Sequence, residues 1–441
     1  MPESITIHRS LVITGLIVAI LAALPVYGEP IEFTRLLQHV PAGEHQFQFS
    51  ATQGEATLAL SDPASSVVMV NGTEVTGPTS ASKTIYLKAT NQLTLQSTVP
   101  TTLRITQQAT VDLAVFSRIH FNTNVSNFAR SREFYGALGL ETLSGFPDTN
   151  TQAMARAIGI DTPTSYDGAQ GEEAGGYLLH GELIGMGFSK GIIDLIEFTI
   201  PRNDAPPYPS LNRLGLSRAV IHSRNLDWDY AAMQERGIEF LSAPATNNRG
   251  IRFAVFKDPD GTFYELREFK GETDPDAPSQ FEQIGAVVIN VSDLQRSAAW
   301  YQMLGFDVTE RLPEHEPPEV AAALGLAGPI RTKAAVLTQK VDGSKLELVE
   351  WVSHRDLTPP YPVPVNHIGI HRMAFATSDM AGDVAQLKAQ GVEFISPVTP
   401  CCSGADSWGS IVAFYDPDGI VMELADQPMM SVLSWFMRLF N

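Results

Sequence analysis

Two stretches of the chain alternate apolar and polar residues in nearly the same order, Phe253–Phe269 (FAVFKDPDGTFYELREF) and Ile411–Leu424 (IVAFYDPDGIVMEL). In each, an apolar run leads into Asp-Pro-Asp-Gly, and a second alternating run ends in Glu-Leu. Asp-Gly between two such runs predicts a β-hairpin, because glycine accepts the positive φ of a tight turn. Each hairpin carries one carboxylate, Glu265 or Glu423, on an otherwise apolar strand. A carboxylate there needs a metal, a cation or a set of donors.

The same order of elements precedes each hairpin. Arg118–Val125 predicts a strand. Asn127–Leu138 predicts a helix, with Phe128, Phe134, Tyr135 and Leu138 at helical spacing and Gly139 as its stop. A short inserted helix (Ala153–Ile160), a buried strand (Ile192–Phe198), a break at Pro206-Pro207-Tyr208-Pro209, a strand (Ser217–Ser223) and a helix (Trp228–Arg236) follow. Downstream the series returns as Val287–Val291, Leu294–Leu304, Val320–Leu326, Leu346–Trp351, Pro359-Pro360-Tyr361-Pro362, His371–Thr377 and Met380–Gln390. The spacing of matched positions is nearly constant from Glu197/Glu350 through Arg218/Arg372 to Glu265/Glu423. This is an internal repeat of two homologous domains, 117–270 and 280–426, each divided into two βαβββ halves. Each copy is expected to close its own eight-stranded cradle.

Residues 29–112 read differently. Short runs such as His45–Phe49, Ala56–Leu60, Val67–Val70, Thr84–Lys88, Gln92–Gln96 and Thr102–Thr106 alternate, with Asn71-Gly72 as a turn signal. They predict a small β-sandwich with no His, Cys or carboxylate cluster. The fold class is therefore α+β, with four βαβββ modules behind a β-sandwich. Ahead of it, Arg9 precedes the apolar run Leu11–Leu24, and Val26-Tyr27-Gly28 supplies a cleavage site. Residues 1–28 read as a secretory signal peptide, with an uncleaved membrane anchor as the alternative. Export to a periplasmic or extracellular location is the expectation. The tail, 427–441, is apolar and helical in pattern, suited to docking on the protein, on a partner or at a membrane surface.

The 441 residues carry a formal charge of −19 without a basic patch, which argues against a nucleic-acid partner. The two cysteines, Cys401 and Cys402, are adjacent, so a disulfide framework is excluded and two loop thiols are expected.

On these residues the chain resembles the vicinal oxygen chelate superfamily, which includes glyoxalases, extradiol dioxygenases, and fosfomycin and bleomycin resistance proteins. The first domain matches in His120, Val125, Ser131, Phe134-Tyr135, Leu138-Gly139 and Asp258-Pro259-Asp260-Gly261 with Glu265. The second matches in Val291-Ser292-Asp293-Leu294, Ser297, Tyr301, Leu304-Gly305 and Asp416-Pro417-Asp418-Gly419 with Glu423. The resemblance implies a small-molecule ligand or substrate held in a cradle of strands. Metal ligands, where the family has them, sit on the first, fourth, fifth and eighth strands.

Carried onto this chain, those positions are His120, Glu197, Arg218 and Glu265 in the first domain and Ala286, Glu350, Arg372 and Glu423 in the second. Two readings follow. In one, His120, Glu197 and Glu265 hold a single divalent ion, and Glu197 or Glu265 serves as base in a lyase, isomerase or dioxygenase reaction. In the other, no metal is used. Arg218 and Arg372 pair with strand carboxylates and anchor a small ligand, and Tyr208 and Tyr361 rim the pockets.

Overall fold

A computed structural model describes residues 30–75, 82–145, 149–160, 177–401 and 409–426. The predicted signal peptide and C-terminal tail lie outside the described residues, among which no helix is long and apolar enough to cross a membrane.

Residues 30–109 form two four-stranded antiparallel sheets, the expected sandwich, around Leu58, Val68, Leu87, Leu95 and Ile105. Its edge strand Ile31–Val40 departs from the sequence reading, which placed no strand there. The register slips between Thr34 and Leu36, and this irregularity breaks the period-two pattern by which a strand is recognised. The sandwich is tied to the second copy: Arg104 pairs with Asp293, and Arg35 donates to Gln390 at 2.7 Å.

The remainder is four modules. The first has strands β1 (Val115–Asn124), β2 (Glu141–Gly145), β3 (Tyr177–Gly185) and β4 (Ile192–Ile200), with helices α1 (Phe128–Ala137) and α2 (Gln152–Ala157). The second has β5 (Gly215–Ser223), α3 (Leu226–Glu235), β6 (Ala245–Thr246), β7 (Arg252–Lys257) and β8 (Phe263–Glu268). The third has β9 (Phe281–Asn290), α4 (Leu294–Met303), β10 (Phe306–Leu312), α5 (Pro318–Ala323), β11 (Thr332–Gln339) and β12 (Lys345–Trp351). The fourth has β13 (Gly369–Thr377), α6 (Met380–Ala389), β14 (Thr399–Cys401), β15 (Gly409–Tyr415) and β16 (Val421–Asp426). The four main helices α1, α3, α4 and α6 start alike, with Asn127, Asn225, Asp293 or Asp379 accepting a backbone N–H of the first turn.

The sheets correct the expectation that each copy closes its own cradle. One runs β2-β3-β4-β1-β13-β16-β15-β14, joining the first module to the fourth. The other runs β6-β7-β8-β5-β9-β12-β11-β10, joining the second to the third. The seams are antiparallel, β1 on β13 and β5 on β9. We call the first sheet cradle A and the second cradle B.

Each strand divides its side chains between two faces. Phe121, Leu195, Ala219, Tyr264, Val287, Leu348, Phe375 and Leu424 belong to one continuous core shared by both sheets. The opposite faces carry separate apolar clusters, Ile196, Phe198, Val421 and the helix α2 in cradle A, and Val220, Val288, Val349, Trp351 and the helix α5 in cradle B.

Contacts within each sequence copy come from the Asp-Pro-Asp-Gly turns. Gly261 and Gly419 have φ of +92° and +83°, the conformation glycine supplies. Asp258 accepts the N–H of Thr262 at 2.8 Å and the Tyr135 hydroxyl at 3.0 Å, which closes the turn and ties it to α1. Asp260 accepts the N–H of Ser126 at 3.0 Å, and Asp418 that of Ser292 at 3.0 Å. The second aspartate thus fastens the hairpin to the preceding module. Cys401 corrects a second expectation: it is disulfide-bonded rather than a free thiol, and Cys402 lies outside the described residues.

Candidate functional site

Glu265 and Glu423 stand at matched places on β8 and β16, buried on the inner face of their cradles. Each faces the arginine of the neighbouring parallel strand. Arg218 Nε donates to Glu265 Oε2 at 2.7 Å, and Arg372 Nη1 lies 3.2 Å from Glu423 Oε2. From there the cradles diverge.

Cradle B is closed by a chain of ion pairs. Arg267, two residues after Glu265, donates Nε to Glu265 Oε1 at 2.6 Å and Nη1 to Glu347 Oε2 at 3.0 Å. Arg249 approaches Glu347 to 3.5 Å. Burial alone would push the Glu265 carboxyl up, but the Arg267 and Arg218 guanidiniums outweigh it and hold it well below the usual carboxylate range. Glu347 is lowered in the same way by Arg267 and Arg249. No buried polar side-chain atom of Arg218, Glu265, Arg267 or Glu347 lacks a partner, and in this chain of residues only Arg249 Nε does.

Cradle A holds Arg372, Glu423, Asp194, Asn122 and His120. The position matching Arg267 is Ala425, so one arginine faces two carboxylates. Arg372 Nε donates to Asn122 Oδ1 at 3.1 Å, and Asn122 Nδ2 donates to Asp194 Oδ2. Arg372 Nη2 is 4.0 Å from Asp194 Oδ2, and His120 Nδ1 is 3.9 Å from the same oxygen. Two buried atoms are left without a partner, His120 Nδ1 and Asp194 Oδ1, while Arg372 Nη1 and Glu423 Oε2 have only each other as an ion pair. Burial pushes Asp194 up to about 7, with Arg372 opposing and Glu423 adding to the shift. Glu423 is also raised by burial, with Arg372 opposing. Burial, then Arg372 and Arg118, lowers His120 to about 3, so its imidazole is neutral.

The residues proposed as a metal set do not come together. Glu265 lies in cradle B and His120 in cradle A. Glu197 is on the other face of β4, where its Oε2 accepts the N–H of Phe128 at the start of α1 (2.7 Å) and its Oε1 faces Arg202 (3.2 Å). Glu350 does the same for α4, accepting the N–H of Leu294 at 2.9 Å. Both therefore support helix N-termini. Asp194 and Glu347, three residues earlier and of opposite strand parity, face the cradles instead. The signal was present in the sequence, since Glu197 shares its parity with the core residues Ile193 and Leu195. Among the described residues no three His, Cys, Asp or Glu side chains gather to hold a metal ion. A divalent ion beside Asp194 and Glu423 would meet the fixed charge of Arg372 at close range, so the residues present do not fit one.

Tyr208 and Tyr361 do not rim separate pockets. Their rings lie 4.8 Å apart, the Tyr361 N–H donates to the Tyr208 hydroxyl at 3.3 Å, and Arg213 covers both rings. They clasp the two proline breaks together.

Residues 283–424 match a family model described as the Glyoxalase/Bleomycin resistance protein/Dioxygenase superfamily. No curated protein sequence matches the chain. Among solved structures, glyoxalase I from Zea mays is similar at 16% identity and a TM-score of 0.49, covering 74% of this chain and 97% of that one. A putative dioxygenase from Bacillus subtilis is similar at 12% identity and a TM-score of 0.46, covering 72% and 87%. The fosfomycin resistance protein FosX from Listeria monocytogenes is similar at 18% identity and a TM-score of 0.23, covering 34% and 95%.

Proposed function

Because the chain belongs to the glyoxalase, bleomycin resistance protein and dioxygenase superfamily, we propose that it binds one small polar molecule in cradle A, without a metal ion. The observation that carries this reading is the contrast between the cradles. Buried polar groups are normally paired, and leaving one unpaired costs roughly 1–3 kcal/mol. Cradle B pairs both of its buried carboxylates from its own residues, whereas cradle A leaves Asp194 Oδ1 and His120 Nδ1 for a ligand to satisfy. Cradle B is then a structural block. A second reading, proton transfer to or from the bound molecule, is favoured by Asp194, whose value near 7 suits a general acid or base.

His120→Ala tests the binding role, because the matching residue of cradle B is already Ala286. In a thermal-shift screen of small polyols, hydroxy acids and amines, at least one compound is expected to stabilise the wild-type protein. His120→Ala is expected to weaken it roughly tenfold, about the loss of one hydrogen bond. Equal binding to both proteins, or no binding compound, would refute the role.

Export is proposed from residues 1–28 alone. Mass spectrometry of protein from its native compartment is expected to find Glu29 at the N-terminus. Met1 retained in a membrane fraction would favour an anchor instead.

A further inference from the structure

We infer that the molecule held in cradle A carries a primary amine rather than an anionic group. The inference rests on the binding role given to cradle A above.

The unpaired atoms set the complement. Asp194 Oδ1 is an acceptor without a partner, Glu423 Oε2 has only Arg372 Nη1 at 3.2 Å, and Asp194, Glu423 and Arg372 are each about 5–6% exposed. The neutral His120 can also accept through Nδ1. Two free acceptors, beside a carboxylate oxygen held by a single donor, match an ammonium, which has three N–H groups and no acceptor. The Asn122 amide cannot serve, because its oxygen accepts from Arg372 and its nitrogen donates to Asp194.

Charge points the same way. Strands β4 and β16 bring Asp194 and Glu423, and β13 brings Arg372 as their cation. His371, beside it, turns Nε2 to the Ile368 carbonyl at 3.2 Å. From β1, Arg118 approaches His120, but its Nη2 donates to the Gly285 carbonyl at 2.8 Å. Where cradle B answers two carboxylates with Arg218 and Arg267, cradle A has Arg372 and Ala425. A cationic ligand supplies the missing charge. An oxyanion would add a third negative group to a desolvated site, where uncompensated charge is costly.

The test compares 2-aminoethanol, 1,2-ethanediol and glycolate, which share a two-carbon skeleton and differ in charge, by thermal shift and titration calorimetry. With wild-type protein, 2-aminoethanol is expected to bind most tightly, 1,2-ethanediol more weakly, and glycolate not at all. Asp194→Asn is expected to weaken 2-aminoethanol at least tenfold, and Glu423→Gln replaces it should that variant not fold. Glycolate binding best, and only when His120 is intact, would overturn the amine inference while leaving the role of cradle A standing. Binding of 2-aminoethanol unchanged in the variant would mean diffuse attraction to an acidic chain and would overturn it too. So would no binding by any of the three. If, in addition, no compound of the wider screen depends on His120, the role of cradle A fails as well.

Discussion

Residues 114–275, produced without the rest of the chain, are expected not to fold as a monomer. This segment is one complete sequence copy, yet its two seam strands have their partners in the other copy. β1 pairs with β13 from Asn124/Gly369 to Val115/Thr377, and β5 pairs with β9 from Gly215/Asn290 to Ser223/Phe281. Cutting between the copies exposes both edges at once, with rows of unpaired N–H and C=O groups. It also divides the shared core, in which Phe121, Ala219, Val287 and Phe375 are all fully buried. The isolated copy is expected to be unfolded or to pair with a second copy of itself by size-exclusion chromatography and circular dichroism. Co-production with residues 276–441 is expected to restore a folded complex. A monomer of 114–275 with a cooperative unfolding transition would contradict the exchanged sheets.

Arg267→Ala is expected to destabilise the protein by roughly 3–5 kcal/mol, the usual cost of removing one partner from a buried ion pair. Arg267 is 8% exposed and serves Glu265 and Glu347 together, so its loss leaves two buried carboxylates short of a donor. Arg218 still reaches Glu265, and Arg249 still approaches Glu347, which keeps the effect finite. For a domain of this size the melting temperature should fall by roughly 10 °C. The pH dependence has a definite sign. The folded-state value of Glu265 is depressed below its ordinary 4.5, so the pairing stabilises the fold above that value and is lost as pH falls toward about 2. The gap between wild type and variant should therefore narrow in acid. A gap that is small at neutral pH, or that widens in acid, would refute the structural role of this network.

Much of this architecture could be read from residues. The repeat, its hairpins and its helix starts rest on local chemistry: Asp-Gly at a turn, Asn or Asp at a cap, Gly where a helix stops. Which module shares a sheet with which was not legible. All four carry the same apolar alternation, and the seams are backbone hydrogen bonds between strands such as β1 and β13 that any such edge could make. The inner-face residues were legible but misaligned, because a glutamate at the fourth-strand position was favoured over the strand parity that selects Asp194 and Glu347. The contrast between the cradles was also on the page, in Glu265-Leu266-Arg267 against Glu423-Leu424-Ala425. Its meaning depends on Asn122, Asp194 and His120 facing Arg372 from the first module, a juxtaposition created only by the exchanged sheets.

The most direct test is to follow the arginine side chains themselves. In protein carrying ¹⁵N-arginine, the Nε–H resonances of Arg372, Arg218 and Arg267 can be assigned by substitution and watched while a compound found by the thermal-shift screen is added. The expected result is a saturable shift of the Arg372 resonance with Arg218 and Arg267 unmoved. Movement of Arg218 or Arg267 with Arg372 still would contradict the assignment of cradle A as the binding site and of cradle B as a closed structural block.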